Sequence, residues 1–260
     1  MHGTGFRDRE RIKYWGRIPA TLEAHGAVVR YGHQDSWGSI EHNAETLKAN
    51  LQKILDETGS EKVNIIAHSK GGLDARCLIS SLGMADKVAS LTTIATPHHG
   101  SRTIDFFCRF PRWTFRIIAF FIDSFSRLLG DEKPDFYTAS RGLSTACMDI
   151  FNENNPDAPS VYYQSYAAVM KKPSSDIFLW FSFLVVKAIE GENDGLVTPE
   201  SAAWTHFQGT LRAVLRHGAS HTDVIDFLRK DYPITLSENS VFNIREFYVH
   251  LVSGLKQSGL

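Results

Sequence analysis

The segment spanning residues 63–72, VNIIAHSKGG, constrains this chain more than any other. A short apolar run there leads into a serine flanked by small residues, with Ala67 two positions before it and Gly71 two positions after it. Small residues at these positions let a strand and a helix approach closely around a sharp turn, which exposes the serine between them. The spacing predicts a nucleophile elbow with Ser69 at its tip.

The residues around Ser69 distinguish an elbow from a chance match to this short pattern. Residues 62–66 are mostly apolar and β-branched, as in a buried parallel strand, and apolar residues recur at helical spacing from Leu73 to Leu82. A helix that begins here aims its positive end at the serine, and the backbone amide of Lys70 can donate to an oxyanion. Lys70 therefore supplies half of a predicted oxyanion hole.

The second oxyanion donor is predicted at the start of the chain. Residues 2–5 read HGTG, and glycines on either side of Thr4 let its backbone amide turn toward the serine. A glycine-rich terminal segment without a role is the alternative, because chain ends often fray. The elbow downstream favours Thr4 as the second donor.

Activation of the serine requires a histidine base and an acid that orients it, and after an elbow these follow in the order acid, histidine. Residues 192–199, ENDGLVTP, place a carboxylate in a turn before a predicted helix start, so we identify Asp194 as the acid and Glu192 as its nearest competitor. His221 lies in a loop of small residues that leads into helical apolar spacing, which favours it as the base over His217.

Secondary-structure patterns predict alternating helices and strands. Helices are expected near residues 11–25 and 39–57, and strands at residues 27–31, 62–66 and 88–94. This alternation predicts βαβ units that build a parallel sheet. Composition agrees with one globular enzyme, since 43% of the 260 residues are hydrophobic and 22% are charged.

Charge and cysteine content argue against two classes of protein. The formal net charge is −1 and no basic run occurs, which argues against a nucleic-acid partner. Three cysteines are too few for a disulfide framework. Cys77 fits a buried apolar position on the helix after the elbow, whereas Cys108 and Cys147 could form at most one bridge, so the redox compartment stays open.

These motifs together resemble those of the α/β-hydrolase superfamily and, more narrowly, the bacterial true lipases of the Pseudomonas and Proteus type. The resemblance implies an α/β-hydrolase fold in a single domain over residues 1–260, with a mostly parallel sheet, helices on both faces and an apolar helical cap. The matching segments span nearly the whole chain: residues 2–5 (HGTG), 67–72 (AHSKGG), 96–101 (TPHHGS), 193–197 (NDGLV) and 221–223 (HTD).

The resemblance implies a serine carboxylic ester hydrolase of the triacylglycerol lipase type, which acts in lipid degradation on hydrophobic acyl chains. His221, oriented by Asp194, would take the proton of Ser69 as the serine attacks the ester carbonyl. The amides of Thr4 and Lys70 would hold the oxyanion, and this chemistry requires no cofactor. Short-chain carboxylesterases, thioesterases and acyltransferases stay as alternatives, as does an inactive hydrolase-fold protein that binds lipid or a partner.

The resemblance also implies a structural calcium ion that ties the histidine loop to the core. In that family the ligands are an aspartate two residues after the histidine, a second aspartate before the acid loop, and backbone carbonyls. These positions correspond to Asp223, to Asp176, and to the carbonyls of Phe227 and Asp231. Hard oxygen ligands of this kind suit Ca²⁺. The alternative is that both aspartates are solvated surface charges.

The resemblance further implies an apolar strand directly before the HG motif and, in most members, a signal peptide before that strand. In this sequence Met1 directly precedes His2, so the first strand of the fold is expected to be missing. As written, the sequence predicts a cytoplasmic location, whereas a truncated start would be consistent with a secreted protein. Loss of the strand is expected to leave backbone groups of its neighbours unpaired.

An aromatic region at residues 103–143 is expected to form a cap over the serine. It contains eight phenylalanine and tryptophan residues between positions 106 and 125, interspersed with isoleucines. Its longest apolar run, residues 117–122, is far shorter than the about 20 residues that cross a bilayer, so no transmembrane segment is predicted. Such a cap would give transient contact with a lipid surface, and a second aromatic run at residues 177–186 is expected in the same pocket wall. Ordinary core helices are the alternative.

Overall fold

The computed structural model describes residues 1–5, 13–214, 218–236 and 241–260. Within these residues a six-stranded sheet has the order β1 to β6, in which each strand pairs with the next along the chain. Strands β1 to β4 run parallel, and β5 and β6 are short antiparallel additions at one edge. The strands are β1 Val63–His68, β2 Val88–Ile94, β3 Tyr162–Val169, β4 Phe207–Ala213, β5 Ile234–Thr235 and β6 Val241–Phe242.

Ten α-helices in the described part of the chain connect or flank these strands. The mostly parallel sheet that the sequence predicted is confirmed. The helix expected near residues 11–25 is shorter than predicted and begins one residue before a proline, although residues 6–12 lie outside the described part. The helices are α1 Ile18–Ala24, α2 Ile40–Thr58, α3 Gly71–Ile79, α4 Arg102–Cys108, α5 Arg112–Leu128, α6 Phe136–Arg141, α7 Thr145–Asn154, α8 Trp180–Ile189, α9 Pro199–Ala202 and α10 Ile244–Gln257.

Two apolar layers cover the sheet, one on each face. On one face α2 and α3 pack against β1 and β2 through residues such as Leu47, Leu73 and Leu91. On the other face α1 and α10 pack against β3 and β4 through residues such as Leu22 and Leu211. Strands buried on both faces explain why the runs in β1 and β2 are apolar rather than alternating.

Local signals fix both ends of α2, which carries much of the first layer. The Ser39 side chain accepts a hydrogen bond from His42 N over 3.2 Å at the start of the helix. Gly59 ends the helix with a φ of 67°, a left-handed conformation that suits glycine. The predicted amphipathic helix is thus confirmed within a residue at each end.

The strand predicted at residues 27–31 does not form. Among the strands, β1 pairs only with β2. On the other edge of β1, Ile66 and His68 form hydrogen bonds with Met1. Met1 N donates to Ile66 O over 2.8 Å, and His68 N donates to Met1 O over 3.2 Å. A cavity of about 690 Å³ is lined by the rest of that edge and by residues 27–32. Because a strand needs a neighbour for its hydrogen bonds, residues 27–31 form none.

Residues 103–143 form most of α4 and all of α5 and α6, which lie outside the two layers described above. The α4 helix contacts both α6 and α8, and α6 contacts α5. Many of the aromatic side chains in this region are exposed rather than packed in a core. No helix in the described ranges is both long and apolar enough to cross a membrane.

Candidate active site

Ser69 stands at the junction of β1 and α3, on the turn between them. Its φ of 54° lies in the left-handed region, which costs a residue with a side chain about 1–3 kcal/mol. Ser69 N donates to Ile94 O over 2.9 Å, and the Thr96 hydroxyl donates to Ser69 O over 2.7 Å. The strained conformation is therefore held by β2 and by the loop that follows it.

Two glycines let the start of the chain pass close to this turn. A Cβ atom at Gly71 would collide with the carbonyl oxygen of His2. A Cβ atom at Gly3 would collide with Cβ of Ser69. The glycines of both motifs thus serve the same contact, which brings the first residues of the chain against the serine.

The Asp194 carboxylate and the His221 ring form a hydrogen-bonded pair. Nδ1 of His221 lies 2.7 Å from Oδ2 of Asp194, which is fully buried. The other carboxylate oxygen accepts from the amides of Leu196 and Val197 over 3.0 and 2.8 Å. A second tie runs through the backbone, where His221 N donates to Asp194 O over 2.8 Å. Acid and histidine are therefore fixed in position relative to each other.

The histidine ring lies beside the elbow. The ring centroid of His221 is 4.3 Å from that of His68, the residue that directly precedes Ser69. Ser69 and His221 are both buried, with 7% and 6% of their surface exposed. The pair of Asp194 and His221 thus lies against the residue next to Ser69, although the three positions are far apart in the sequence.

Two backbone amides beside Ser69 are free to bind an anion. Neither Thr4 N nor Lys70 N has a protein acceptor in the described part of the chain. Lys70 directly precedes α3, so its amide belongs to the positive end of that helix. Thr4 follows Gly3, which is packed against Ser69. These are the two amides that the sequence singled out.

Sequence reasoning missed a buried pair that supports the site, Tyr14 and His68. Gly3 N donates to the Tyr14 hydroxyl over 2.8 Å, and that hydroxyl lies 2.7 Å from Nδ1 of His68. Burial, followed by the nearby His221, lowers the pKa of His68 well below its ordinary value, so this ring is neutral. The position of His68 inside the elbow was a usable signal, whereas no local pattern marks Tyr14.

The side chain of Lys70 points away from this chemistry. Its Nζ donates to Oδ1 of Asp74 over 2.6 Å, and Asn43 donates to the other oxygen over 2.8 Å. Burial raises the pKa of Asp74, and the ammonium of Lys70 opposes that rise. Lys70 can therefore act on an oxyanion only through its backbone.

The sequence also offered Glu192 as an alternative acid and His217 as an alternative base. Glu192 is exposed and forms an ion pair with Arg212 over 2.9 Å, a contact that lowers the pKa of the Glu192 carboxyl. It makes no contact with His221, whose ring already pairs with Asp194. The alternative base, His217, lies outside the described residues.

The predicted calcium ligand Asp176 is buried beside the histidine loop, with its oxygens in use. Oδ1 accepts from Phe178 N and Leu179 N over 2.8 and 3.3 Å. Oδ2 accepts from the hydroxyl of Ser220 over 2.9 Å and from the hydroxyl of Thr222. Four protein donors therefore occupy the positions from which this carboxylate would bind a cation.

The second predicted ligand, Asp223, lies in the same loop. Its Oδ2 accepts from Ser220 N over 3.0 Å, and burial raises the pKa of its carboxyl to about 6. In the described ranges, no group of three or more His, Cys, Asp or Glu side chains is placed to hold a metal ion. As arranged, each oxygen of Asp176 already accepts from two protein donors, which does not fit a bound calcium ion, and the calcium site stays a prediction.

Comparison with known sequences places the chain in a family. The sequence model of the family described as palmitoyl protein thioesterase matches residues 14–166, which include the elbow. Triacylglycerol lipase 2 of Saccharomyces cerevisiae is 31% identical over 95% of this chain and 74% of its own length. A triacylglycerol lipase of Pseudarthrobacter phenanthrenivorans is 33% identical over 61% of this chain, and the match spans about half of that relative, 53%.

Solved structures show the same fold. The lipase of Staphylococcus hyicus superposes with a TM-score of 0.70 over 98% of this chain and 94% of its own, at 17% identity. Lipase 1 from Pelosinus fermentans gives a TM-score of 0.67 over 99% and 97%, also at 17% identity. At such low identity the likeness concerns the fold alone. The chain therefore belongs to the palmitoyl protein thioesterase family and has the α/β-hydrolase fold.

Proposed function

We propose that this protein hydrolyses carboxylic esters of hydrophobic acyl chains through an acyl-enzyme on Ser69, in the manner of a triacylglycerol lipase. The single observation that supports this most is the Asp194 to His221 hydrogen bond beside a serine held in a left-handed turn. Structural pairs of aspartate and histidine are common, but few adjoin a strained serine with two free amides next to it. The yeast and bacterial relatives named triacylglycerol lipase agree with this activity.

In the first half of the reaction, His221 acts as the base. Because Nδ1 pairs with Asp194, the other ring nitrogen, Nε2, is the one that accepts the hydroxyl proton of Ser69. The serine oxygen then bonds to the ester carbonyl carbon and the carbonyl oxygen becomes an oxyanion. As the intermediate collapses, the bond to the alcohol oxygen breaks and the alcohol leaves with the proton from His221.

The second half repeats these steps with water. His221 takes a proton from a water molecule, whose oxygen bonds to the acyl carbon of the Ser69 ester. Collapse of that intermediate breaks the bond to the serine oxygen, which regains its proton, and releases the carboxylic acid. Asp194 stays ionised throughout and stabilises the imidazolium that forms twice in each turnover.

The amides of Thr4 and Lys70 are proposed to bind the oxyanion in both halves. Each donor of this kind contributes about 3 kcal/mol to the lowering of the barrier in comparable enzymes. The neutral ring of His68 and the hydroxyl of Tyr14 hold the Gly3 backbone, and so place the Thr4 amide. They act on the position of the donor rather than on the substrate.

A hydrophobic acyl chain fits the surroundings of the site better than a short one. We propose that residues 103–143 form a cap over Ser69 within one domain, and that it makes transient contact with lipid. Exposed Phe106 in α4 and the exposed aromatic residues Phe178, Trp180 and Phe181 supply apolar surface for an acyl chain. A short-chain carboxylesterase would use the same triad but would gain little from these side chains.

Hydrolysis of a fatty acyl thioester is the second candidate. It is favoured by one observation, the match of residues 14–166 to the palmitoyl protein thioesterase family. A thiolate is a better leaving group than an alkoxide, so the same serine, histidine and amides would serve with less demand on His221 as an acid.

The test is a p-nitrophenyl ester series from acetyl to palmitoyl, with palmitoyl-CoA hydrolysis measured in parallel. We expect activity to rise with acyl length and to vanish in Ser69→Ala, whose melting temperature should match that of the unmodified chain. A short-chain optimum would favour an esterase, and faster cleavage of the thioester would favour the second candidate. Equal rates for both proteins would refute a serine mechanism.

A further inference from the structure

The outer face of α5 is apolar and exposed, and the fold does not explain it. Its inner face packs through the buried residues Ala119 and Ser126. Six large apolar side chains on the remaining surface are between 52% and 80% exposed, and they recur at the i, i+4, i+7 and i+8 spacing of one helical stripe. They are Trp113, Ile117, Phe120, Phe121, Phe125 and Leu128.

A second exposed apolar group lies close to the histidine loop. Ile177, Phe178, Trp180 and Phe181 are all more than half exposed. The segment begins directly after Asp176, whose carboxylate binds the hydroxyls on both sides of His221. The α4 helix contacts both α6 and α8, and α6 contacts α5, so these helices connect the two groups. Apolar surface on this scale marks a binding surface.

Three arginines lie beside the α5 stripe. Arg112, Arg116 and Arg127 are exposed and, at i, i+4 and i+15, share one side of the helix. None of them forms an ion pair with a carboxylate in the described ranges. Since the whole chain has a net charge of −1, this is a local concentration of positive charge rather than a consequence of composition.

The acidic residue of α5, Asp123, is hydrogen-bonded to α6 and forms no ion pair with these arginines in the described ranges. The Asp123 carboxylate turns toward α6, where it accepts from Phe136 N over 2.8 Å. Burial raises the pKa of this carboxyl, and the hydrogen bond from Phe136 N and the nearby Arg127 oppose that rise. Arg116 packs over the Tyr137 ring, with 5.6 Å between guanidinium carbon and ring centroid, which leaves its charge free for an external anion. The outer side of α5 therefore combines an apolar stripe with a cationic border.

We propose that the outer face of α5 docks on the surface of an anionic phospholipid bilayer. Its 17 residues span about 25 Å, so the helix can lie in the plane of the membrane with its aromatic side chains at the boundary between headgroups and acyl chains. The three arginines then bind lipid phosphates. A neutral oil droplet would satisfy the apolar stripe but not the arginines, and that difference selects the bilayer.

A series of helix contacts links α5 to the candidate active site. The α6 and α4 helices connect α5 to α8, and the aromatic segment at residues 177–184, which leads into α8, is tied through Asp176 to the histidine loop. Delivery of membrane esters to Ser69 rests on the proposed function, whereas the docking itself requires no hydrolysis. The two are therefore tested separately.

Vesicle co-sedimentation of the Ser69→Ala protein tests the docking without turnover. We expect binding to vesicles of phosphatidylcholine mixed with phosphatidylglycerol, weak binding to phosphatidylcholine alone, and a decline with added salt. Replacement of Arg112, Arg116 and Arg127 by Gln should weaken binding to the mixed vesicles by about 100-fold, at roughly 1 kcal/mol for each arginine. Phe120→Ser with Phe121→Ser should reduce binding to both kinds of vesicle.

A matched variant controls for net charge. Arg30→Gln, Lys48→Gln and Lys53→Gln remove three exposed positive charges that lie outside α4, α5, α6 and α8, and they should leave vesicle binding unchanged. Equal loss in both triple variants, equal binding to neutral and anionic vesicles, or no vesicle binding would overturn the proposal. If the protein binds no vesicles and is instead a dimer that the two Phe replacements convert to a monomer, the stripe is the contact with a second copy of the chain. A protein that binds vesicles yet hydrolyses no ester would refute only the proposed function.

Discussion

The candidate active site and the outer face of α5 are built on opposite principles. At the site, polar side chains are buried and nearly every polar group has a partner, as in the five hydrogen bonds that the Asp194 carboxylate and backbone make with neighbours. On α5, large apolar side chains are exposed and three arginines form no ion pair in the described ranges. Catalysis requires side chains held in a fixed geometry, whereas a binding surface presents side chains that make their contacts with a partner. Substitutions in the two regions should therefore differ in kind as well as in size.

The largest effect is expected at the base of the site. His221→Ala should lower kcat for ester hydrolysis on the order of 10⁶-fold, as loss of the histidine does in comparable serine enzymes. The melting temperature should change little, because the ring is bonded to Asp194 alone among described side chains. Steady-state kinetics and thermal unfolding check both, and a loss below tenfold would show that another group acts as the base.

Substitution of the acid distinguishes Asp194 from the neighbouring carboxylate of Glu192. Asp194→Asn should lower kcat about 10⁴-fold, because the amide no longer holds the imidazole in the tautomer that accepts the serine proton. Glu192→Gln is the matched control and should leave kcat unchanged, since its side chain pairs with Arg212 at the surface. Similar losses in the two variants would contradict the assignment of the acid.

On the outer face, the effect should depend on the form of the substrate. Phe120→Ser with Phe121→Ser should leave hydrolysis of dissolved p-nitrophenyl acetate unchanged. With esters presented in anionic vesicles we expect at least about a 100-fold loss, because burial of each phenylalanine contributes about 1.5–3 kcal/mol. A parallel loss on the dissolved ester would show that α5 shapes the site itself rather than a docking surface.

Substitution of Tyr14 should affect both the stability of the protein and the position of the Thr4 amide. Tyr14→Phe removes the acceptor of Gly3 N and the partner of His68, so the free energy of unfolding should fall by about 2 kcal/mol. Displacement of the neighbouring Thr4 amide should lower kcat with little change in KM. Tyr162→Phe is the control, because its hydroxyl has no hydrogen-bond partner in the described part of the chain, and urea unfolding should hardly distinguish it from the unmodified protein.

The smallest effect is expected from calcium. Since Asp176 already accepts from four protein donors, calcium chloride or a chelator should leave the melting temperature unchanged. Asp176→Asn should lower it in either condition, because the hydroxyls of Ser220 and Thr222 lose a charged acceptor. A calcium-dependent rise that Asp176→Asn abolishes would restore the predicted metal site.

The sequence predicted most where the signal is local. The elbow needs small residues at fixed spacing around Ser69, and the acid needs a carboxylate in a turn, as at Asp194. Each of these patterns is contained in a short segment of the sequence. Residues 27–31 have the pattern of a strand, but a strand also requires a neighbour, and the cavity beside β1 provides none. Local patterns cannot report on such nonlocal pairing.

Two further features depend on contacts between distant segments. The pair of Tyr14 and His68 joins residues 54 positions apart, so neither residue alone predicts it. In α5, apolar residues occupy both the inner and the outer surface, and periodicity does not tell which face meets the core. The aromatic content predicted a cap, but only the structure locates the exposed stripe and the arginines beside it.

The most direct test of the account is covalent labelling with an alkyl fluorophosphonate, located by mass spectrometry of the digested protein. The mechanism predicts one label, on Ser69, with the rate of labelling strongly reduced in Asp194→Asn and abolished in His221→Ala. A folded protein that leaves Ser69 unlabelled, or that labels equally fast without His221, would contradict it.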